Sequence, residues 1–218
     1  MLKYSLALAS LLTACGDTTP SHAPTAGMPA SHADAPKPTD APMAHGDAPA
    51  QAAPADQMFV DGMVPHHEGA VAMAQIAGKR AEHPELKAMA ASMLASQQAE
   101  IAQMKSWRKA WYGSDATPAM GAPMSHGDMP GMASMKNMAA DIKKLETATP
   151  FDLAFLDAMI PHHQGAVDMV QAMGSKLEKT ETRELSAKIL ADQKKEIEQM
   201  QAWRAAWYPD APPASATH

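Results

Sequence analysis

The chain contains two long segments that align with each other without a gap, and this internal duplication constrains the fold more than any other feature. Residues 56–112 align with residues 152–208 at a constant offset of 96, so that the motif Pro65-His66-His67 matches Pro161-His162-His163. The ends match as well, with WRKAWY closing the first repeat and WRAAWY the second. Because a single repeat unit leaves an apolar face uncovered, the two copies are expected to pack on each other.

Each repeat has the pattern of a helical hairpin. Asp56 and Asp152 are predicted as helix N-caps, and the apolar residues that follow recur at intervals of three and four. A break near residues 78–84 and 174–180 precedes a second amphipathic stretch in each copy. Two such hairpins predict an all-α fold, a four-helix bundle made of duplicated hairpins.

A proline lies inside the first predicted helix of each hairpin. Pro65 and Pro161 directly precede the paired histidines. A proline at this position either kinks the helix, because it removes one backbone hydrogen bond, or marks the true start of the helix. In both cases the paired histidines are expected beside an irregularity.

The N-terminal residues indicate export. Residues 1–14 combine one early lysine with a short apolar run, which predicts a signal peptide rather than a transmembrane helix. The end of this segment together with the next residue, Leu12-Thr13-Ala14-Cys15, resembles a bacterial lipobox. The alternative is an ordinary signal peptide followed by a stray cysteine. Cys15 is the only cysteine, so lipidation would explain a thiol that has no disulfide partner. We therefore expect a bacterial extracytoplasmic lipoprotein that is anchored to a membrane through Cys15.

Composition divides the remaining chain. A net charge of −6 argues against a nucleic-acid partner, which would require a basic face. The stretch after Cys15 is rich in proline, alanine and small polar residues, which predicts a disordered tether. The predicted organisation is a signal peptide at 1–14, a lipidated disordered tether at 15–55, a first hairpin at 56–112, a Met/His-rich disordered linker at 113–150, a second hairpin at 151–208 and a tail at 209–218.

The paired histidines share one helix face with methionines. At about 100° per residue, two methionines and two histidines of each repeat fall within an arc of roughly 120°. Methionines on such an arc can be core residues, and a buried histidine can simply be hydrogen-bonded. Adjacent inward histidines that recur in both repeats favour metal ligation instead, because a buried imidazole without a partner costs free energy. The candidate ligands are Met63, His66, His67 and Met73 in the first repeat and Met159, His162, His163 and Met169 in the second.

The identity of the metal follows from the softness of the ligands. After Cys15 the chain has eighteen methionines against eight leucines, and thioethers select copper in its reduced state. Imidazole also accepts Cu(II) and zinc, but no carboxylate cluster accompanies the histidines, which argues against calcium and magnesium. In the central linker, methionines recur among residues too polar to form a core, although methionine used as hydrophobic filler is the alternative. The linker candidates are Met120, Met124, His126, Met129, Met132, Met135 and Met138.

The repeats resemble a known family. The motifs MIPHHQGA and QKKEIEQMQAW, with their counterparts MVPHHEGA and QQAEIAQMKSW, closely resemble the family catalogued as domain of unknown function 305. The resemblance implies a ferritin-like helical bundle and, because the family includes periplasmic copper-binding proteins of the CopM type, copper binding outside the cytoplasm. It also implies that Met104 and Met200, on the second helices, face the paired histidines as further ligands.

These observations predict a copper-binding protein, with Cu(I) favoured over Cu(II) and zinc. The expected role is copper sequestration, copper resistance or hand-over to a copper-accepting or copper-donating protein, without enzymatic activity. One alternative is a copper oxidase that converts Cu(I) to Cu(II). Another is a structural interaction bundle whose histidines hold zinc or no metal.

Overall fold

The computed structural model describes residues 53–119, 135 and 138–212. The long helices begin and end close to the positions that the periodicity predicts, and within the described residues one 3₁₀ turn, Gly174–Lys176, follows the third long helix. The helices in chain order are α1 (Ala55–Arg80), α2 (Pro84–Tyr112), α3 (Met138–Leu145), α4 (Phe151–Met173) and α5 (Thr180–Trp207).

The four long helices form a bundle of two hairpins. Helices α1 and α2 pack together as the first hairpin, α4 and α5 as the second, and α1 packs directly against α4 at the centre. The core consists of two apolar clusters, and each cluster contains residues from both repeats. The prediction of an all-α four-helix bundle made of duplicated hairpins is therefore confirmed.

Both prolines lie in the interior of their helices. Helix α1 begins ten residues before Pro65, at Ala55, and helix α4 begins ten residues before Pro161, at Phe151. Of the two readings that the sequence left open, a helix that starts at the proline is therefore wrong. Since a proline has no N–H group, the helix loses a backbone hydrogen bond one residue before the paired histidines.

The two aspartates predicted as N-caps do not cap their own helices. Helices α1 and α4 begin one residue earlier, and neither has a side-chain cap. Asp152 instead accepts hydrogen bonds from the backbone N–H groups of Glu82 and His83, at 2.9 Å each, immediately before α2. It also accepts one from His83 Nδ1 at 2.7 Å. The carboxylate of the second hairpin thus satisfies donors at the start of a helix in the first.

Asp56 makes the reciprocal contact. Its carboxylate accepts hydrogen bonds from the N–H groups of Glu178 and Lys179, at 3.2 Å each, and from the Thr182 hydroxyl at the start of α5. Burial raises the pKa of Asp56, but the hydrogen bonds from Thr182, Lys179 and Glu178 outweigh burial and leave the pKa below its ordinary value. The duplication therefore produces two crossed caps that tie the hairpins together.

The central linker is not disordered throughout, contrary to expectation. Its last third forms helix α3, which packs on α1 and α4, and Met135, Met138 and Leu145 are buried. Met138 lies against Gly69, where an added Cβ would stand only 1.7 Å from the Met138 sulfur. These two linker methionines have the core role that the sequence argued against, because α1 offers a glycine-sized recess to receive one of them.

Other parts of the sequence prediction lie outside the described residues. These are the signal peptide, Cys15, all but the last three residues of the tether, the linker positions 120–134, 136 and 137, and positions 213–218 of the tail. Among the residues that the structure describes, no helix is both long enough and apolar enough to cross a membrane.

The crossed caps lead to a stability prediction. Asp152→Asn keeps the shape of the side chain but replaces one carboxylate oxygen by a donor that faces N–H groups. We expect the free energy of unfolding to fall by about 1–3 kcal/mol, the usual cost of leaving buried polar groups unpaired. Chemical denaturation of the parent, the variant and the exposed control Asp210→Asn measures this effect. A variant as stable as the control would contradict the capping role.

Candidate functional site

Four histidines meet where α1 and α4 pack together at the centre of the bundle. The ring centroids of His66 and His162 lie 3.9 Å apart, and each ring is about 6 Å from the neighbouring histidine of its own repeat. All four side chains are buried, with residue exposures of 0–3%. We call His66, His67, His162 and His163 the histidine layer. The two repeats thus contribute equally to one site rather than to two separate ones.

The outer histidine of each pair has a carboxylate partner. His67 Nε2–H donates to Glu100 Oε2 at 2.8 Å, and His163 Nε2–H donates to Glu196 Oε2 at 2.7 Å. Burial raises the pKa of Glu100, but the hydrogen bonds from His67 and Lys188 outweigh burial and leave the pKa lowered. An ionised carboxylate only accepts, so in the neutral form of His67 this hydrogen bond places the imidazole lone pair on Nδ1.

Most nitrogens of the histidine layer have no partner. Within the described residues, both nitrogens of His66 and His162 and the Nδ1 atoms of His67 and His163 are buried without a hydrogen bond. Buried polar groups are nearly always paired, and each unpaired one costs about 1–3 kcal/mol. A metal ion accepts imidazole lone pairs, so six unpaired nitrogens in one layer fit a metal site.

The inner histidines are held neutral. Burial, reinforced by the neighbouring His67 and His163, lowers the pKa of His66 to about 3. Burial, together with His66, His163 and His67, also holds the pKa of His162 well below its ordinary value. Since a metal competes with a proton for the same lone pair, these two imidazoles stay available as ligands at neutral and mildly acidic pH.

The predicted thioethers of the two repeats lie in the two core clusters of the bundle. One cluster holds Met63 and Met104 from the first repeat with Met169 from the second. The other contains their equivalents, Met159 and Met200 with Met73. All six are fully buried or nearly so. The helical arc predicted from the sequence placed Met63 and Met73 on one face of the same helix. In the structure these two methionines belong to different clusters, and each cluster contains residues from both repeats.

The remaining candidates lie elsewhere. Met135 and Met138 are buried where α3 packs on the bundle, and Met138 contacts Gly69, three residues after His66. Among the described residues, no three His, Cys, Asp or Glu side chains form a ready-made metal cluster. The candidates outside the described residues are Met120, Met124, His126, Met129, Met132 and the lipidation site Cys15.

Sequence reasoning missed four residues of this site. Glu100 and Glu196 bind the outer histidines, and the sequence analysis, which found no carboxylate cluster beside the histidines, did not identify these two single carboxylates. Gln97 and Gln193, one helical turn earlier, are 3% exposed, and their amide oxygens have no partner within the described residues. All four recur at the offset of 96, within QQAEIAQM and QKKEIEQM. This recurrence of the same polar residues in both second helices is the sequence signal that could have identified them as part of the site.

The fold and site together define a class of protein: a duplicated four-helix bundle that encloses a layer of four buried histidines, of which the inner two have no hydrogen-bond partner within the described residues. The family described as Domain of unknown function (DUF305) matches residues 56–204. The chain belongs to the DUF305 family, as its motifs led us to expect. It matches no curated protein sequence.

Several solved structures are similar to this chain. Two of them, "CopM in the Cu(I)-bound form" and "CopM in the Cu(II)-bound form", are 37% and 40% identical, with TM-scores of 0.59 and 0.61. In both comparisons 70% of this chain and 97% of the other chain are covered. A DUF305 protein from Streptomyces coelicolor is 27% identical over 70% of this chain and 92% of its own, with a TM-score of 0.61. The family and the fold are therefore shared.

The buried histidines lead to a pH prediction for the metal-free protein. Below pH 6.5 the unfolded chain binds a proton at His66 and the folded chain does not, so stability falls as the pH drops from 6.5 toward about 3. We expect His66 to contribute a slope approaching about 1.4 kcal/mol per pH unit in this window. The variant His66→Leu should lose that slope. Denaturation at several pH values with a chelator present measures it, and equal slopes would contradict the neutral burial of His66.

Proposed function

We propose that this protein binds copper outside the bacterial cytoplasm, predominantly as Cu(I), and acts in copper sequestration, copper resistance or hand-over. The observation that carries the proposal is the set of six buried imidazole nitrogens without partners in the histidine layer. Burial of these nitrogens without partners costs free energy, and a bound metal ion would supply the partner that lowers the cost. The proposed role is binding rather than catalysis.

The donor set supports copper over harder ions. Imidazole nitrogens and thioether sulfurs are soft or borderline donors, whereas calcium and magnesium need several oxygen ligands. The proposed ligands are the four histidines with the methionines of both clusters. The linker candidates outside the described residues, Met120, Met124, His126, Met129 and Met132, would add further Cu(I) capacity. Similar CopM structures contain Cu(I), Cu(II) or silver, which supports a site of this donor type.

The proposed location rests on the N-terminal sequence. A lipidated Cys15 after a signal peptide would place the bundle outside the cytoplasm on a proline-rich tether. The Streptomyces relative is itself described as a "putative secreted protein", which agrees with an exported family. A membrane-anchored carrier could then hold copper near a protein that donates or accepts it.

The central test removes the inner imidazoles without opening a cavity. The double variant His66→Leu with His162→Leu replaces two unpaired rings by apolar side chains of similar size. We expect Cu(I) affinity to fall by at least about tenfold, and the metal-free protein to gain about 1–3 kcal/mol because unpaired buried polar groups are removed. Competition with a Cu(I) chelator and chemical denaturation measure the two effects. Weaker Cu(I) binding together with a higher free energy of unfolding of the metal-free protein would identify the histidines as functional rather than structural.

Controls separate the alternatives. His83→Leu removes a partly exposed histidine outside the layer, and copper binding should survive it. Equilibrium dialysis against zinc and copper distinguishes the zinc bundle, and oxygen consumption on addition of Cu(I) distinguishes an oxidase. Unchanged copper affinity in the double leucine variant, or turnover of Cu(I) by the parent, would contradict the proposal.

The lipid anchor has its own test. Cys15→Ser removes the only thiol that can be acylated. One acyl chain anchors a protein only marginally, so a stable lipoprotein carries several and should lose membrane attachment when all are removed. We expect the variant in the soluble extracytoplasmic fraction and the parent in the membrane fraction after cell fractionation. A variant that stays with the membrane would refute the lipobox.

A further inference from the structure

Helices α2 and α5 do not pack closely on each other but line a groove with a volume of about 430 Å³. Four carboxylates and one ammonium group, that of Lys195, contribute to its walls, so the groove is acidic. The residues that line the groove include Ser92, Gln97, Glu100, Asp192, Gln193 and Glu196.

The groove reaches the histidine layer. Glu100 and Glu196 line it and are also the hydrogen-bond partners of His67 and His163, so a single hydrogen bond separates groove and imidazole on each side. Gln97 and Gln193 line it as well, and their buried amide oxygens lack partners within the described residues. Carboxylates beside free amide oxygens offer a cation donors that replace part of its hydration shell.

The two sides of the groove differ. The Lys188 ammonium binds Glu100 at 2.8 Å and Asp192 at 2.7 Å, and so covers the carboxylate next to His67. The position equivalent to Lys188 in the first repeat is Ser92, which lines the groove and has no charge. Glu196, the counterpart of Glu100, is hydrogen-bonded to His163. The side chain of Glu196 is 22% exposed, whereas that of Glu100 is 10% exposed. The two repeats therefore differ in charge at this position: a lysine binds the carboxylate of Glu100, and an uncharged serine takes its place on the side of Glu196.

We propose that the α2–α5 groove is the route by which the metal ion reaches the histidine layer, and that the ion passes through the open Glu196–His163 side while Lys188 closes the Glu100–His67 side. This inference rests on the proposed function, because it assumes that the layer binds a metal. Glu196 attracts the incoming cation, and Gln193 and Gln97 provide oxygen donors on the way. An acidic groove of this kind raises the rate of cation association.

The internal repeat supplies the test. Since Ser92 is the counterpart of Lys188, Ser92→Lys should place an ammonium on Glu196 as Lys188 does on Glu100. Ser92 is exposed, so the exchange leaves the core untouched. The probe is silver nitrate, because Ag⁺ is a soft monovalent stand-in for Cu⁺ that needs no reductant. Stopped-flow quenching of tryptophan fluorescence reports uptake, with Trp203 in the wall of the groove.

We expect Ser92→Lys to slow association on the order of tenfold. The matched control Ala95→Lys adds the same charge to an exposed position of α2 outside the groove and should keep the parental rate. The double variant Ser92→Lys with Lys188→Ser has the parental net charge and moves the opening to Glu100, so it should recover most of the parental rate.

The outcomes are distinguishable. Equal rates for Ser92→Lys and Ala95→Lys would overturn the route, and so would a double variant as slow as Ser92→Lys alone. Either result in a parent that retains Ag⁺ and copper through its histidines would leave the proposed function intact. If the parent retains neither ion at equilibrium, the proposed function fails and the route fails with it.

Discussion

The burial of four imidazoles between α1 and α4 is the constraint to which the rest of the bundle conforms. Unpaired imidazoles are costly in an apolar interior, and the cost is lower when the rings are neutral, as the pKa of about 3 for His66 indicates. Carboxylates on α2 and α5 bind the outer rings, while the two apolar core clusters of the bundle stabilise the fold and offset the cost of burying the inner rings. The two inner imidazoles therefore stay neutral and keep their lone pairs available to a soft metal.

The crossed aspartates explain how the two hairpins hold this layer in register. Asp152 completes the start of α2, and Asp56 completes the start of α5, so each hairpin satisfies backbone donors of the other. Both contacts lie at the ends of the bundle, and the layer lies between them. A slip of one hairpin along the other would break both caps, and the His66–His162 contact would be lost with them.

The sequence predicted the hairpins, the burial of the paired histidines and the bundle, because helical periodicity and the offset of 96 are local signals. It misplaced the roles of Asp56 and Asp152, because a residue one position inside a helix is chemically able to cap its own helix or another. It also missed Glu100, Glu196, Gln97 and Gln193, since their partners lie on neighbouring helices. The core role of Met138 was missed because the recess that receives this side chain depends on Gly69, far away in the chain.

Duplication within one chain permits a difference that a symmetric dimer of hairpins would lack. The buried residues of the site are the same in both repeats, whereas the residues around it differ. Lys188 corresponds to Ser92, and Gln164 corresponds to Glu68. His83 stacks on Trp207 at 3.7 Å, whereas its counterpart Lys179 places its ammonium 4.5 Å from the ring of Trp111. In two identical chains, a lysine that covers one carboxylate would cover both. In a single chain, substitution around the site can close one side and leave the other open while the ligands between them remain equivalent.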